Sequence, residues 1–109
     1  MEVYYTVFVG IKPRVEEDWV NWMTIFHIPD VMNSGCFTNY TFLKVVDASF
    51  DQFENYSWYE IRYTASDIER FNTYLNEYAD PLRAEHELRY EGKFTAFRSI
   101  TAISTTDEE

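Results

Sequence analysis

The sequence predicts an α+β fold in which one antiparallel sheet of four strands carries two helices on a single face. Three observations carry this expectation. Four segments alternate their side chains with the period of two of a β-strand. Two longer segments repeat apolar residues at spacings of three and four, the stripe of an amphipathic helix. The two kinds of segment follow each other in the order β-α-β-β-α-β, the split βαβ pattern.

Residues Val3 to Ile11 form the first strand. Val3, Tyr5, Val7, Val9 and Ile11 share one face, and Tyr4, Thr6 and Phe8 the other. A strand solvated on one side would alternate apolar with polar. This one is expected to be central and covered on both sides. Lys12-Pro13 then turns the chain into a helix whose stripe is Val15, Trp19, Trp22, Met23 and Phe26. Glu16, Glu17 and Asp18 fall in its first turn, where negative charge favours the helix dipole. Pro29 lacks an N–H and restricts its predecessor, so the helix is expected to end or kink near Ile28. Asp30 to Met32 can add a short helical turn, and Gly35 supplies a C-terminal stop.

The second strand is read over Phe37 to Val46, a polar hairpin loop over Asp47 to Asn55, and the third strand over Tyr56 to Thr64. In the third strand Tyr59, Ile61 and Tyr63 mark one face, and Trp58, Glu60 and Arg62 the other. Ser66-Asp-Ile-Glu69 has the form of a capping box with serine as the cap. It opens a helix whose stripe is Ile68, Phe71, Leu75, Tyr78 and Leu82. Asp80-Pro81 is expected to bend this helix, Asp80 capping the part that resumes to about Arg89. Gly92 ends it, and Phe94 to Ile103 is the last strand. Residues 1–103 thus read as one ferredoxin-like domain, and 104–109 as a flexible acidic tail.

This order leaves one sheet face without helices. Its Tyr, Val and Phe side chains would expose an apolar patch too large for a monomer. Pairing that face with a second copy solves the problem, so a homodimeric α/β barrel is expected.

Composition narrows the function. The chain has 109 residues, with 9 Lys+Arg against 19 Asp+Glu and a net charge of −10. That balance argues against tracking a nucleic-acid backbone. No apolar run approaches the length of a membrane helix. The N-terminal segment lacks the basic start of a signal peptide, so a cytoplasmic location is expected. The single cysteine, Cys36, can form neither an internal disulfide nor a cysteine-rich zinc site, and reads as a small buried hydrophobe. There is no glycine-rich phosphate loop, and no cofactor is expected.

Two histidines could carry chemistry. His27 lies at the kink before Pro29, where a pocket can open, and could act as a general base. It could equally satisfy a freed backbone carbonyl. His86, in Arg83-x-Glu85-His86, could donate to a ligand or, as a lesser option, ligate haem. Its structural alternative is to favour the helix C-terminal dipole. Arg98 shares a strand face with Phe94, Ala96, Ile100 and Ala102. A charge on an apolar face is costly unless paired, so Arg98, Glu60 and Arg62 are expected to form a structural ion pair. The less expected role is to meet an acidic ligand group. Trp22 and Tyr63 are the aromatics best placed to line a pocket, although such residues more often belong to a core.

Two blocks carry a family resemblance. The first is Trp19-x-x-Trp22-Met23-x-x-x-His27-Ile28-Pro29-x-Val31-Met32 with Gly35-x-Phe37. The second runs from Tyr74-Leu75 through Pro81-Leu82-Arg83-x-Glu85-His86 to Lys93-Phe94-x-Ala96-Phe97-Arg98. Together they resemble an uncharacterised bacterial family of about this length, a domain of unknown function. More distantly the chain is similar to the dimeric α/β-barrel superfamily, which includes antibiotic-biosynthesis-type monooxygenases, haem-degrading enzymes and muconolactone-type isomerases. The resemblance implies a small organic ligand, apolar or aromatic, between sheet and helices. It also implies cofactor-independent monooxygenase- or isomerase-like chemistry. A non-enzymatic dimeric regulatory or protein-interaction module is the alternative.

Overall fold

The computed structural model of the protein describes residues 1–105. Strands β1 (Val3–Ile11), β2 (Asn39–Lys44), β3 (Ser57–Ala65) and β4 (Phe94–Ala102) form one sheet. The strand order is β2-β3-β1-β4, antiparallel at every junction. The sequence reading of β1 therefore holds in extent and in its central place. Strand β2 is shorter than expected, because Phe37 leaves the strand path and is buried just before it.

One sheet face carries every helix. Val3, Tyr5, Val9 and Ile11 of β1 are buried there beside Tyr59, Ile61 and Tyr63 of β3. The first helical unit comprises α1 (Glu16–Trp22), a π-helical segment (Met23–His27) and α2 (Ile28–Met32). Its start is tied to the sheet by Glu16, which accepts hydrogen bonds from Tyr59, Ser57 and Lys44. The Tyr59 hydroxyl in particular holds the Glu16 carboxyl below its ordinary pKa.

The helix does not end at Ile28. It widens instead: the Ile28 N–H reaches five residues back to the Met23 carbonyl. Pro29, the next residue, has no N–H to give. The extra residue in this turn shifts the buried stripe. Trp19 and Met23 are buried, and then Ile28 and Val31. Phe26, expected on the stripe, points outward and is 57% exposed.

The second helical unit is α3 (Ile68–Glu77) and α4 (Ala79–Tyr90). Asp67, not Ser66, is the N-cap; its Oδ1 accepts from the Arg70 N–H at 2.8 Å. The core-facing residues are Phe71 and Tyr74, while Ile68 and Tyr78 are exposed. The break falls at Tyr78, two residues before Asp80. Pro81 then sits in the first turn of α4, where a missing N–H costs little. Gly35 and Gly92 close the two units with φ of +76° and +73°, as C-terminal glycines do.

The helix-free face is less bare than expected. The chain between β2 and β3 folds over one end of it. Phe50 packs its ring 4.9 Å from Trp58, which Tyr56 and Phe97 also contact. Trp58 is only 4% exposed as a result. It lies so close to β1 that only a glycine fits at Gly10. Glu60 and Arg62 pair with each other at 2.7 Å on this face. Leu43 and Phe97 stay exposed. Ser104 and Thr105 follow β4 without regular structure, and residues 106–109 of the expected tail lie outside the described residues.

Candidate functional site

A cavity of about 280 Å³ lies between the sheet and the helices. Strand register defines its floor. Tyr63 and Tyr5 form one row across β3 and β1. The next row is Ile61, Val7 and Arg98, and the next is Val9 and Ala96. Helical residues Met23, His27, Val31, Tyr74, Arg83 and His86 close over that floor. The cavity is therefore graded. Tyrosines and arginines gather at one end, and Val9, Ala96 and Phe94 form an apolar other end. Glu87 and Arg98 are exposed, which marks the side where it opens to solvent.

His27 reaches the cavity because of the π-helical segment. The extra residue places His27 five positions after Trp22, with the two rings stacked 5.2 Å apart. Such single widened turns often accompany functional positions. Trp22 itself does not line the cavity; it backs His27 and also packs against His86 and Tyr90. The His27 Nδ1 is buried without a hydrogen-bond partner. Burial lowers the His27 pKa from 6.5 to about 4, against a raising effect of Asp30 and with a smaller lowering effect of Arg98.

His86 lies 5.8 Å from His27, ring centre to ring centre. Its Nε2 accepts from the buried Trp19 indole N–H at 2.8 Å. An imidazole nitrogen that accepts is unprotonated, so the proton of the neutral ring sits on Nδ1. Burial, then the neighbouring His27 and Arg98, lower the His86 pKa to about 4. Both imidazoles are thus neutral at pH 7. His86 sits in the core, edge-on to Phe94 at 4.5 Å, and its place there does not depend on the helix C-terminal dipole. With Nε2 engaged by Trp19, that nitrogen is not free for an iron. Among the described residues no group of three His, Cys, Asp or Glu side chains is arranged to hold a metal ion.

Arg98 does not join Glu60 and Arg62. Register puts it on the opposite sheet face, so the expected three-residue ion pair is replaced by the Glu60–Arg62 pair alone. Arg98 instead donates from Nε to the Tyr5 hydroxyl at 3.2 Å. Arg83 donates to the same oxygen from Nη2 at 3.0 Å. Neither guanidinium forms a salt bridge among the described residues. The Arg83 Nε is buried without a partner. Tyr63 and Tyr74 complete this end. Burial pushes both phenols up, well above 10, so both hydroxyls stay protonated.

Of the residues singled out from sequence, His27, His86, Arg98 and Tyr63 meet at this cavity, and Trp22 stands behind it. Sequence reasoning does not single out Arg83 or Tyr74. A signal for Arg83 exists: it precedes His86 by three residues on one helix, so the two share a face. Trp19, the partner of His86, could not be told from an ordinary core residue.

In comparisons with known proteins, no curated protein matches the sequence. Solved structures do match, over nearly the whole chain. SnoaB, a cofactor-independent oxygenase from Streptomyces nogalater, aligns with a TM-score of 0.64 and 16% identity, covering 99% of this chain and 98% of that one. At3g17210 from Arabidopsis thaliana aligns with a TM-score of 0.67 and 14% identity, covering 97% and 99%. A dimeric ferredoxin-like protein from an uncultured marine organism has a TM-score of 0.64 and 10% identity, covering 96% of each chain. These likenesses establish the ferredoxin-like α+β fold. The sequence itself, over residues 2–103, matches the model of one family. The chain therefore belongs to the DUF4286 family, a domain of unknown function.

Proposed function

We propose that the protein binds a small organic molecule in the cavity between sheet and helices, and acts on it without a cofactor. One observation carries this reading. Two unpaired guanidiniums and two neutral imidazoles converge on a single cavity, alongside protonated tyrosines. Convergent polar groups in an otherwise apolar hollow are the usual form of a ligand site. His27 is the proposed base. A neutral imidazole can take a proton from an acidic C–H, the electron pair moving onto an adjacent carbonyl oxygen. The positive potential of Arg83 and Arg98 at that end of the cavity favours the anionic ligand. Returning the proton to another carbon would complete an isomerisation. The similarity to SnoaB is consistent with this class of chemistry, at the level of fold alone.

The test is a thermal-shift screen of carbonyl compounds, phenols and aromatic acids. Hits should raise the melting temperature of the natural protein. They should not shift Ala96→Phe, which fills the cavity floor. His27→Ala should stay folded and lose turnover of any hit. If no compound shifts the natural protein, the reading fails.

A second reading concerns the helix-free face. Leu43 and Phe97 stay exposed there, and one structural neighbour is described as dimeric. We propose that this face pairs with a second copy of the chain, forming a barrel with a shared core. Light scattering should give twice 13.1 kDa, and Phe97→Glu should return the protein to monomer. A monomer mass for the natural protein at micromolar concentration would refute the pairing. Were the cavity to bind nothing, this dimer would be a non-enzymatic interaction module. Among the described residues no helix is long and apolar enough to cross a membrane. A cytoplasmic location, with the buried free Cys36 kept reduced, belongs to the same proposal.

A further inference from the structure

We infer that the polar end of the cavity is a carboxylate site, and that the ligand is a small monocarboxylic organic acid with an apolar body. This inference rests on the small-molecule reading above and names its chemical class. The chain as a whole is strongly acidic, with 19 acidic against 9 basic side chains. Yet two of its six arginines point at one tyrosine oxygen inside a cavity. Such placement is costly for Arg83, whose Nε is buried, and less so for the exposed Arg98. Two like charges are brought together, and no described carboxylate pairs with either. The Tyr5 hydroxyl accepts from both guanidiniums but cannot neutralise them. The buried Arg83 Nε, with no partner, is a donor waiting for an acceptor.

An anion placed beside Tyr5 would satisfy each of these. A carboxylate has two oxygens and about four acceptor positions, and guanidinium forks match it well. It could take one donor pair from each arginine. Glu87 also lines the cavity, but it is exposed and stands off both arginines. It disfavours a second negative charge on the ligand, which favours a monoanion. The rest of the molecule has to be apolar, because beyond the row of Val7 and Arg98 the floor is Val9 and Ala96, leading to Phe94. A volume of about 280 Å³ suits a body the size of one aromatic ring with a short substituent. His86 lies against Phe94 at the apolar end, 4.5 Å ring to ring, and the neutral His27 stands 5.8 Å from it on the same cavity wall. Neutral at pH 7, neither imidazole would compete with the arginines for the ligand's charge.

The test compares three probes on the full chain by ligand-observed NMR: benzoate, benzamide and inorganic phosphate. Benzamide keeps the shape and removes the charge; phosphate keeps a charge and removes the apolar body. Benzoate should bind, with benzamide and phosphate each at least tenfold weaker. Arg83→Gln and Arg98→Gln should each weaken benzoate by roughly 10- to 100-fold, the effect of a lost charged hydrogen bond. Arg83→Lys and Arg98→Lys, which keep the charge, should recover part of the affinity. Ala96→Phe should abolish binding and so locate it. Benzoate and benzamide binding equally, unmoved by Arg98→Gln, would overturn the carboxylate site and leave the cavity reading intact. Phosphate binding as tightly as benzoate would overturn the apolar body. Failure of benzoate together with failure of every neutral compound in the thermal screen would bring down both readings.

Discussion

The paired histidines make stability depend on pH in a defined window. Each imidazole is held at a pKa of about 4 in the folded chain, against 6.5 when unperturbed. The unfolded chain therefore binds more protons between those two values. The histidine contribution is complete above pH 6.5, falls as the pH drops, and levels off once the folded-state histidines also protonate near pH 4, while the lowered Glu16 pKa adds a further loss at the acid end. At ~1.4 kcal/mol per pH unit, one histidine accounts for a loss of about 3 kcal/mol over this window. The two rings are coupled, the charge of His27 being itself a cause of the His86 shift, so their contributions belong to the pair. Asp30 opposes the effect at His27, and Arg98 reinforces it at both rings. The assay is urea unfolding at pH 7.5, 6.0, 5.0 and 4.2, run on the natural protein, His27→Gln and His86→Gln. Glutamine keeps a neutral polar group and removes the titration. Each variant should flatten the profile by up to about 3 kcal/mol. Proton NMR titration gives the microscopic values directly. Two histidines titrating between pH 6 and 7 would refute the reasoning, because the rings could not then be buried as described.

Other perturbations test the framework. Trp19→Phe removes the indole N–H and leaves His86 Nε2 buried without its partner; chemical denaturation should show a loss of about 2 kcal/mol. Asp67→Ala should cost about 1 kcal/mol as a lost helix cap, and Ser66→Ala close to none; the reverse ranking would restore the serine cap. Gly10→Ala places a methyl 2.8 Å from the Trp58 ring, and overpacking of this kind should lower stability by about 1–3 kcal/mol. Adding Phe50→Ala to it, which frees one side of Trp58, should lessen that cost.

The sheet was legible because its signals are local and redundant. Alternation in Val3 to Ile11 and in Tyr59 to Tyr63 sets which side chains face the helices, and a one-residue error would turn every one of them over. The helix ends were less legible. Pro29 signals a disturbance, but the sequence does not say whether the helix stops or widens, since both answers relieve the missing N–H. Phe26, on the stripe of an ordinary α-helix, points outward for that reason. Ser66 and Asp67 are both good caps, and only backbone geometry chooses between them. The site was half legible. The chain has only two histidines, and Arg98 is a charge on an apolar strand face. Its partner could not be read, because cross-strand register decides that Glu60 and Arg62 lie on the far side. Arg83 and Tyr5 are 78 residues apart in the chain, and no local pattern joins them.

The widened turn at Met23–His27 has a consequence for how this helix could arise and be undone. One residue of an α-helix corresponds to a rotation of roughly 100°. Removing Thr24 or Ile25, both exposed, would restore ordinary winding and rotate everything before the deletion against everything after it. With Ile28 and Val31 held in the core, Trp22 would swing away from His27. With Trp19 and Met23 held instead, His27 would turn out of the cavity. A packed core on both sides and an imidazole facing the cavity are compatible only with the widened turn. The widened turn thus divides the first helical unit in two: an anchor, Trp19 and Met23 in the core, and a presenter that turns His27 to the cavity.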